Sequence, residues 1–91
     1  MRLRYSAGYI TDLLEAESYL RSVAPQLVAE LARRLDASFS LLLDHPLMAR
    51  TGRASGTREL VLKKFPYVVV YRATPQEIVI LRLLHQAQDW P

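Results

Sequence analysis

Gly56-Thr57-Arg58-Glu59-Leu60-Val61-Leu62-Lys63-Lys64-Phe65-Pro66-Tyr67-Val68-Val69-Val70-Tyr71-Arg72 is the stretch that decides how this chain folds. Tyr67–Arg72 is β-branched or aromatic at five of six positions, the composition that suits a pleated, packed strand. Thr57–Leu62 precedes it as a second strand. Lys63-Lys64-Phe65-Pro66 between them carries the proline of a turn. Downstream, Ala73-Thr74-Pro75-Gln76 is a second turn, and Glu77–Leu84 a third strand. Three strands joined by short turns form an antiparallel meander.

Upstream of the meander, residues 45–56 form a loop punctuated by Pro46, Gly52 and Gly56. It carries Arg50 and Arg53 but lacks the glycine spacing and following helix of a P-loop. Before it lie two helices. Ser6 is placed to cap the first, its hydroxyl accepting a first-turn N–H. Tyr9, Ile10, Leu13, Leu14 and Leu20 then fall at helical spacing across roughly residues 7–22. Pro25 suits the first turn of the second helix. There Leu27, Val28, Leu31, Leu35, Phe39 and Leu42 make one stripe, with Glu30 and Arg34 paired at i and i+4. The second helix must stop before Pro46. Both stripes are expected in the core, because a small domain needs them buried. Leu3 and Tyr5 alternate with Arg2 and Arg4 as a short first strand. The order is β-α-α-β-β-β, an αα-hairpin followed by a three-stranded antiparallel meander. This is an α+β fold in one domain over residues 1–91.

Composition narrows the function. There are no cysteines, so disulfides and thiolate metal sites are excluded. His45 and His85 stand far apart, without metal-ligand spacing, and neither metal nor cofactor is expected. No apolar run is long enough to span a membrane, and Met1–Tyr5 lacks a signal-peptide pattern, so a cytoplasmic protein is expected. The net charge of +3 is unevenly placed: residues 1–45 hold five basic and six acidic side chains, residues 46–91 seven basic and three acidic. A basic second half suits an anionic partner, nucleic acid or acidic protein.

If both turns are four-residue loops, Leu62 faces Tyr67 and Arg72 faces Glu77. Facing residues share a side of the sheet. One side then carries Arg58, Leu60, Leu62, Tyr67, Val69, Tyr71, Ile78, Ile80 and Arg82. The other carries Thr57, Glu59, Val61, Val68, Val70, Arg72, Glu77, Val79, Leu81 and Leu83. Both are largely apolar, and two helices cover only one. A partner chain is the expected cover for the second side; the alternative cover is the tail, Trp90 included. In this register Arg72 pairs with Glu77 across the hairpin, and Arg58 and Arg82 lie at opposite corners, roughly 16 Å apart.

The segments Gly56–Val61, Pro66–Arg72 and Ile80-Leu81-Arg82-Leu83-Leu84-His85, with the final Trp90-Pro91, resemble the ParE/RelE toxin superfamily. The loop Asp44-His45-Pro46-Leu47-Met48, followed by Arg50, Gly52 and Arg53, is similar to that superfamily's link between second helix and sheet. The resemblance covers essentially the whole chain. It implies the toxin of a bacterial type II toxin–antitoxin pair, neutralised by a cognate antitoxin. RelE-like members are ribosome-dependent ribonucleases acting on mRNA; ParE-like members inhibit DNA gyrase by binding. RNA cleavage needs a base, an acid and a cation around one phosphate. The RelE-like alternative would use Arg58, Arg82 and His85. RelE-like members tend to finish with a catalytic tyrosine, whereas this chain has none after Tyr71. The Tyr-Val-Val-Val-Tyr-Arg strand places it with the ParE-like branch, without catalytic chemistry of its own. Under that reading Arg58, Lys63, Lys64, Arg72, Arg82 and Trp90 are target-binding candidates. Tyr9, Leu13, Leu20, Tyr67 and Tyr71 are exposed candidates for contact with the antitoxin.

Overall fold

The computed structural model describes residues 1–89. Trp90, a target-binding candidate, lies outside the described residues. The elements are β1 (Arg2–Tyr5), α1 (Ala7–Val23), α2 (Leu27–Asp44), β2 (Arg50–Thr51), β3 (Arg58–Val61), β4 (Tyr67–Ala73) and β5 (Glu77–His85). The strands form one five-stranded sheet in the order β1-β5-β4-β3-β2. β1 runs parallel to β5 and every other pairing is antiparallel. The expected meander is therefore the centre of a larger mixed sheet, widened on one edge by the first strand. On the other edge it is widened by β2, a short strand within what was read as loop.

Ser6 caps α1 as expected, its Oγ accepting the Tyr9 N–H at 3.1 Å. Pro25 lies in the turn ahead of α2 rather than in its first turn. On α2, Leu31, Leu35, Phe39 and Leu42 are buried, and Glu30 accepts from Arg34 at 2.9 Å. These residues join Tyr9, Ala16 and Leu20 of α1 against Val69, Tyr71, Ile78, Ile80 and Leu83 of the sheet. Tyr5, Tyr9 and Phe39 close one end of this core, their ring centroids 5.5–5.9 Å apart. Full burial of each large apolar side chain contributes about 1.5–3 kcal/mol. The α1 stripe is only half used: Ile10 is 43% and Leu14 59% exposed, which corrects the expectation that both stripes are wholly buried.

The register holds in the first hairpin, where the Leu62 N–H donates to the Tyr67 carbonyl at 2.9 Å. It changes in the second. Thr74 N–H donates to Glu77 O at 2.9 Å, leaving Pro75-Gln76 as a two-residue loop. Arg72 therefore faces Val79 instead of Glu77. The pairing then shifts between Val70 and Tyr71: Tyr71 faces Ile80 but Val70 faces Arg82, so Leu81 is an extra residue. Such a bulge changes which side the following residues occupy. Leu83 thereby joins the helix-covered core, contrary to expectation. The bulge sits where β5 exchanges its neighbour. Up to Ile80 it pairs with β1; beyond that, Ser6 N–H donates to the Ile80 carbonyl at 2.9 Å and Ser6 Oγ to that of Leu81 at 2.7 Å. α1 starts there and passes close: a Cβ on Gly8 would lie 3.3 Å from the Leu81 carbonyl.

The second side of the sheet is covered by the chain itself, which corrects the expectation of a partner there. Val68, Val70, Val79 and Leu84 are all buried. The segment after β2 folds back onto this side. Its anchor is Glu59, whose side chain is 2% exposed. Glu59 accepts from the Arg53 backbone N–H at 2.8 Å and from the Arg53 and Arg50 guanidinium groups at 3.3 and 3.2 Å. Arg53 also donates to the Gln88 carbonyl at 3.4 Å, tying the segment to the turn after β5. Gly56, at φ +77, makes the left-handed turn that returns the chain to β3.

Candidate functional site

A concavity of about 610 Å³ lies between α1, the start of α2, the β3–β4 turn and the end of β5. Its apolar wall is built from Tyr19, Leu20, Leu27, Phe65 and Leu83; Lys64, Tyr67, Arg82 and His85 bring polar and charged groups to it. Lys64 sits at φ 70, a left-handed conformation uncommon outside glycine, and this turns the β3–β4 connection over the groove.

Arg82 is held by Asp12, whose carboxylate accepts Nε at 2.6 Å and Nη2 at 3.0 Å. The same carboxylate accepts the Leu83 N–H at 2.9 Å. The hydrogen bond to Asp12 raises the Arg82 guanidinium above its ordinary pKa, against the opposing effect of burial. Asp12 thus ties α1 to the strand just past its bulge and leaves Arg82 largely neutralised. His85 sits at the mouth, its ring edge-on to Tyr67 with centroids 6.2 Å apart. Its Nδ1 accepts the Ala87 N–H at 3.1 Å, so in the neutral ring Nε2 carries the proton.

Arg58 is elsewhere. Its Nη1 donates to the Leu47 and Ala49 carbonyls at 3.2 and 2.9 Å. Beside it Tyr71 Oη donates to the Pro46 carbonyl at 2.8 Å, so the two residues together brace the α2–β2 link. The opposite-corner placement of Arg58 and Arg82 is corrected by the shifted register. They stand on β3 and β5 one residue out of step, with backbones roughly 10 Å apart. Their guanidinium groups nonetheless serve different elements. The structure brings Arg82, His85, Lys64 and Tyr67 to one groove and keeps Arg58 out of it. Lys63 and Arg72 are exposed outside it, and the Arg72 side chain makes no hydrogen bond or ion pair among the described residues. The expected Arg72–Glu77 pair is replaced by Arg2 and Arg4, which reach Glu77 at 3.5 and 2.9 Å. These contacts, led by the Arg4 hydrogen bond, hold the Glu77 carboxyl below its usual range.

The five residues expected to be exposed for antitoxin contact are corrected in that respect. Tyr9, Leu20 and Tyr71 are buried, and Leu13 and Tyr67 are partly buried against the same core. Burial also pushes the Tyr9 hydroxyl pKa upward. The large apolar side chains that face solvent include Ile10, Leu14, Tyr19 and Val23 on α1, Leu27, Leu41 and Leu43 on α2, Leu47 and Met48 in the link, and Met1, Tyr5 and Val61 near or on the sheet. Ile10 and Leu14, and Tyr19 and Val23, are each spaced i, i+4, so the two pairs form ridges along α1. The sequence reading missed Asp12 and Glu59 as the carboxylates that organise the basic half. For Glu59 a signal existed, an acid set among strand apolar residues with Arg50 and Arg53 just upstream.

Two helices packed on one face of a mixed five-stranded sheet define an α+β fold that several solved structures share. The structure described as "Chromosomal ParDE TA system from P. aeruginosa" is similar at a TM-score of 0.81 and 20% identity, covering 93% of this chain and 95% of that one. The E. coli DinJ-YafQ complex has a similar chain at a TM-score of 0.67 and 16% identity, covering 96% of both. A chain of the RelBE2 complex from Mycobacterium tuberculosis is similar at 0.61 and 22%, covering 96% and 92%. In sequence, the protein named "Putative toxin Y4kP" from Sinorhizobium fredii (strain NBRC 101917 / NGR234) is 32% identical over 90 residues, 99% of this chain and 93% of its own length. Residues 3–90 match the model of the ParE toxin of the type II toxin–antitoxin system parDE, and the chain belongs to that family.

Proposed function

We propose that this protein is the gyrase-inhibiting toxin of its module: it acts by binding DNA gyrase and is neutralised by a cognate antitoxin. The observation that supports binding over bond-making is the dispersal of the candidate catalytic groups. Arg58 is spent on the Leu47 and Ala49 carbonyls and Arg82 on Asp12. A ribonuclease needs a cation, a base and an acid free around one phosphate. The exposed ridges of α1 fit an antitoxin segment that folds on binding, Ile10, Leu14, Tyr19 and Val23 serving as its anchors. This moves the antitoxin surface from the buried Tyr9, Leu20 and Tyr71 to the solvent-facing side of α1.

The second reading, a RelE-like ribonuclease acting on ribosome-bound mRNA, draws on one observation: His85, Lys64 and Tyr67 line the same groove as Arg82. Purified toxin is to be assayed for gyrase supercoiling beside translation-coupled mRNA cleavage. The gyrase reading expects inhibited supercoiling and intact mRNA. Cleaved mRNA, with cleavage lost in His85→Ala and supercoiling untouched, would reverse the assignment.

A further inference from the structure

The side of the sheet away from the helices carries a band of arginines. Arg72, Val79 and Arg4 form one row across β4, β5 and β1. Arg50, Glu59 and Val70 form a parallel row two residues further along, across β2, β3 and β4. Arg2 lies beside Glu77 on the β1 edge, and Arg53 covers Glu59 from above. The segment carrying Arg53 also approaches Arg72: a Cβ on Gly56 would lie 3.8 Å from Arg72 Nε. Five arginines stand here against two glutamates, Glu59 and Glu77. The excess on this one face equals the net +3 of the entire chain, and the remaining charges balance.

We propose that this face binds the phosphate backbone of duplex DNA. The concavity on this face, about 540 Å³, is walled mainly by Arg50, Thr51, Arg53, Glu59 and Gln86, with the buried Val68 and the exposed Val61 beside them, so it offers a protein partner little apolar surface for an anchoring side chain. A single strand needs aromatic platforms for its bases. The exposed tyrosines, Tyr5 and Tyr19, belong to the helix side, where Tyr5 stacks on Tyr9 and Tyr19 lines the groove. What is left among the described residues, Val61 apart, is mainly charge, spread from β2 to β1 over four strand spacings, roughly 19 Å. That breadth spans several phosphates of a duplex, and guanidinium groups suit phosphate oxygens bidentately. Arg72 leads the contact because its side chain has no hydrogen-bond or ion-pair partner to leave among the described residues. The apolar ridges on α1 remain free meanwhile, so the two surfaces serve different partners.

The test is fluorescence anisotropy of a labelled 20-base-pair duplex of arbitrary sequence titrated with the purified toxin, without gyrase, so that it is read apart from the supercoiling assay. For about three phosphates neutralised, affinity is expected to fall about 40-fold between 50 and 200 mM salt. Arg72→Ala is expected to weaken binding about tenfold at the lower salt and to make the salt slope shallower by about one. Arg72→Lys should retain most of the affinity. Arg33→Ala, which removes the same charge from α2, should bind like the parent. Circular dichroism verifies that each variant is folded. Absence of duplex binding at 50 mM salt would overturn the proposal. So would equal losses in Arg72→Ala and Arg33→Ala, or preferential binding of single-stranded RNA or of an octaglutamate peptide over the duplex.

Discussion

The two faces of the sheet are closed by different means. On one, two helices bury a continuous core that includes Tyr71, Ile78, Ile80 and Leu83. On the other, a short folded-back segment is pinned by a single carboxylate, Glu59, held by two arginines. The first closure rests on apolar area, which does not titrate with pH. The second rests on charge-assisted hydrogen bonds, which are sensitive to pH. A small domain thus keeps one face rigid and leaves the other responsive to its solution.

The largest expected effect lies on the helix side. Tyr71 is fully buried and its hydroxyl is bonded to the Pro46 carbonyl. Tyr71→Ala should lose about 3–5 kcal/mol in urea unfolding, as other large aromatic truncations do. Tyr71→Phe should lose only the hydrogen bond, about 1 kcal/mol. A loss from Tyr71→Ala no larger than that from Tyr71→Phe would mean that the core is not what holds this face.

At the seam between α1 and β5, Asp12→Ala leaves the Leu83 N–H and Arg82 without their acceptor. The expected cost is about 1.5–3 kcal/mol, read in the same unfolding experiment. Hydrogen exchange at Leu83 should rise more than at Ile78 if the seam opens locally.

On the open face the prediction carries a pH sign. Burial pushes the Glu59 carboxyl up, but the Arg53 N–H, the Arg53 guanidinium and Arg50 outweigh it and hold it below its usual range. A carboxyl with a depressed folded-state pKa contributes stability above its unfolded value, about 4.3, that is lost as pH falls through the folded one. Glu59→Gln should cost about 1–2 kcal/mol at pH 7 and flatten the acid side of the stability profile. Tyr71→Phe, by contrast, should shift that profile without changing its shape. An unchanged acid limb in Glu59→Gln would remove Glu59 from the account of this face.

The two faces also differ in how far they could be read from sequence. The helices, the Ser6 cap and the strong strand at Tyr67–Arg72 follow from periodicity and propensity, which are local. The bulge at Leu81 is set by Ser6 and Asp12, some 70 residues away in the chain. Nothing in Ile80-Leu81-Arg82 announces it. Missing it sent Leu83 to the wrong side, and together with reading the β4–β5 turn two residues too long it sent Arg58 and Arg82 to opposite corners. The self-covered face was hidden for the same reason: Val68 and Val70 look as though they require a partner until Arg53 is seen bonded to Glu59. Of the candidate site, Lys64, Tyr67, Arg82 and His85 converge as residues of the basic half would. Tyr19 and Leu27 entered the groove from the helices by tertiary placement alone. The family itself was legible because its motifs lie in consecutive segments.

The pairing of β1 with β5 sets the order of events at birth. Arg2 finds its neighbour Glu77 only after 75 further residues have been made. At about 5–20 residues per second this is roughly 4–15 s of synthesis. During that interval α1 and α2 can form locally, but the strand ahead of them has no sheet to join and the bulge that seats α1 does not yet exist. The last strand made closes the edge with the first. Assembly of the finished sheet therefore waits for β5, and no nascent chain that stops short of Glu77 presents the complete β1-β5-β4-β3-β2 surface.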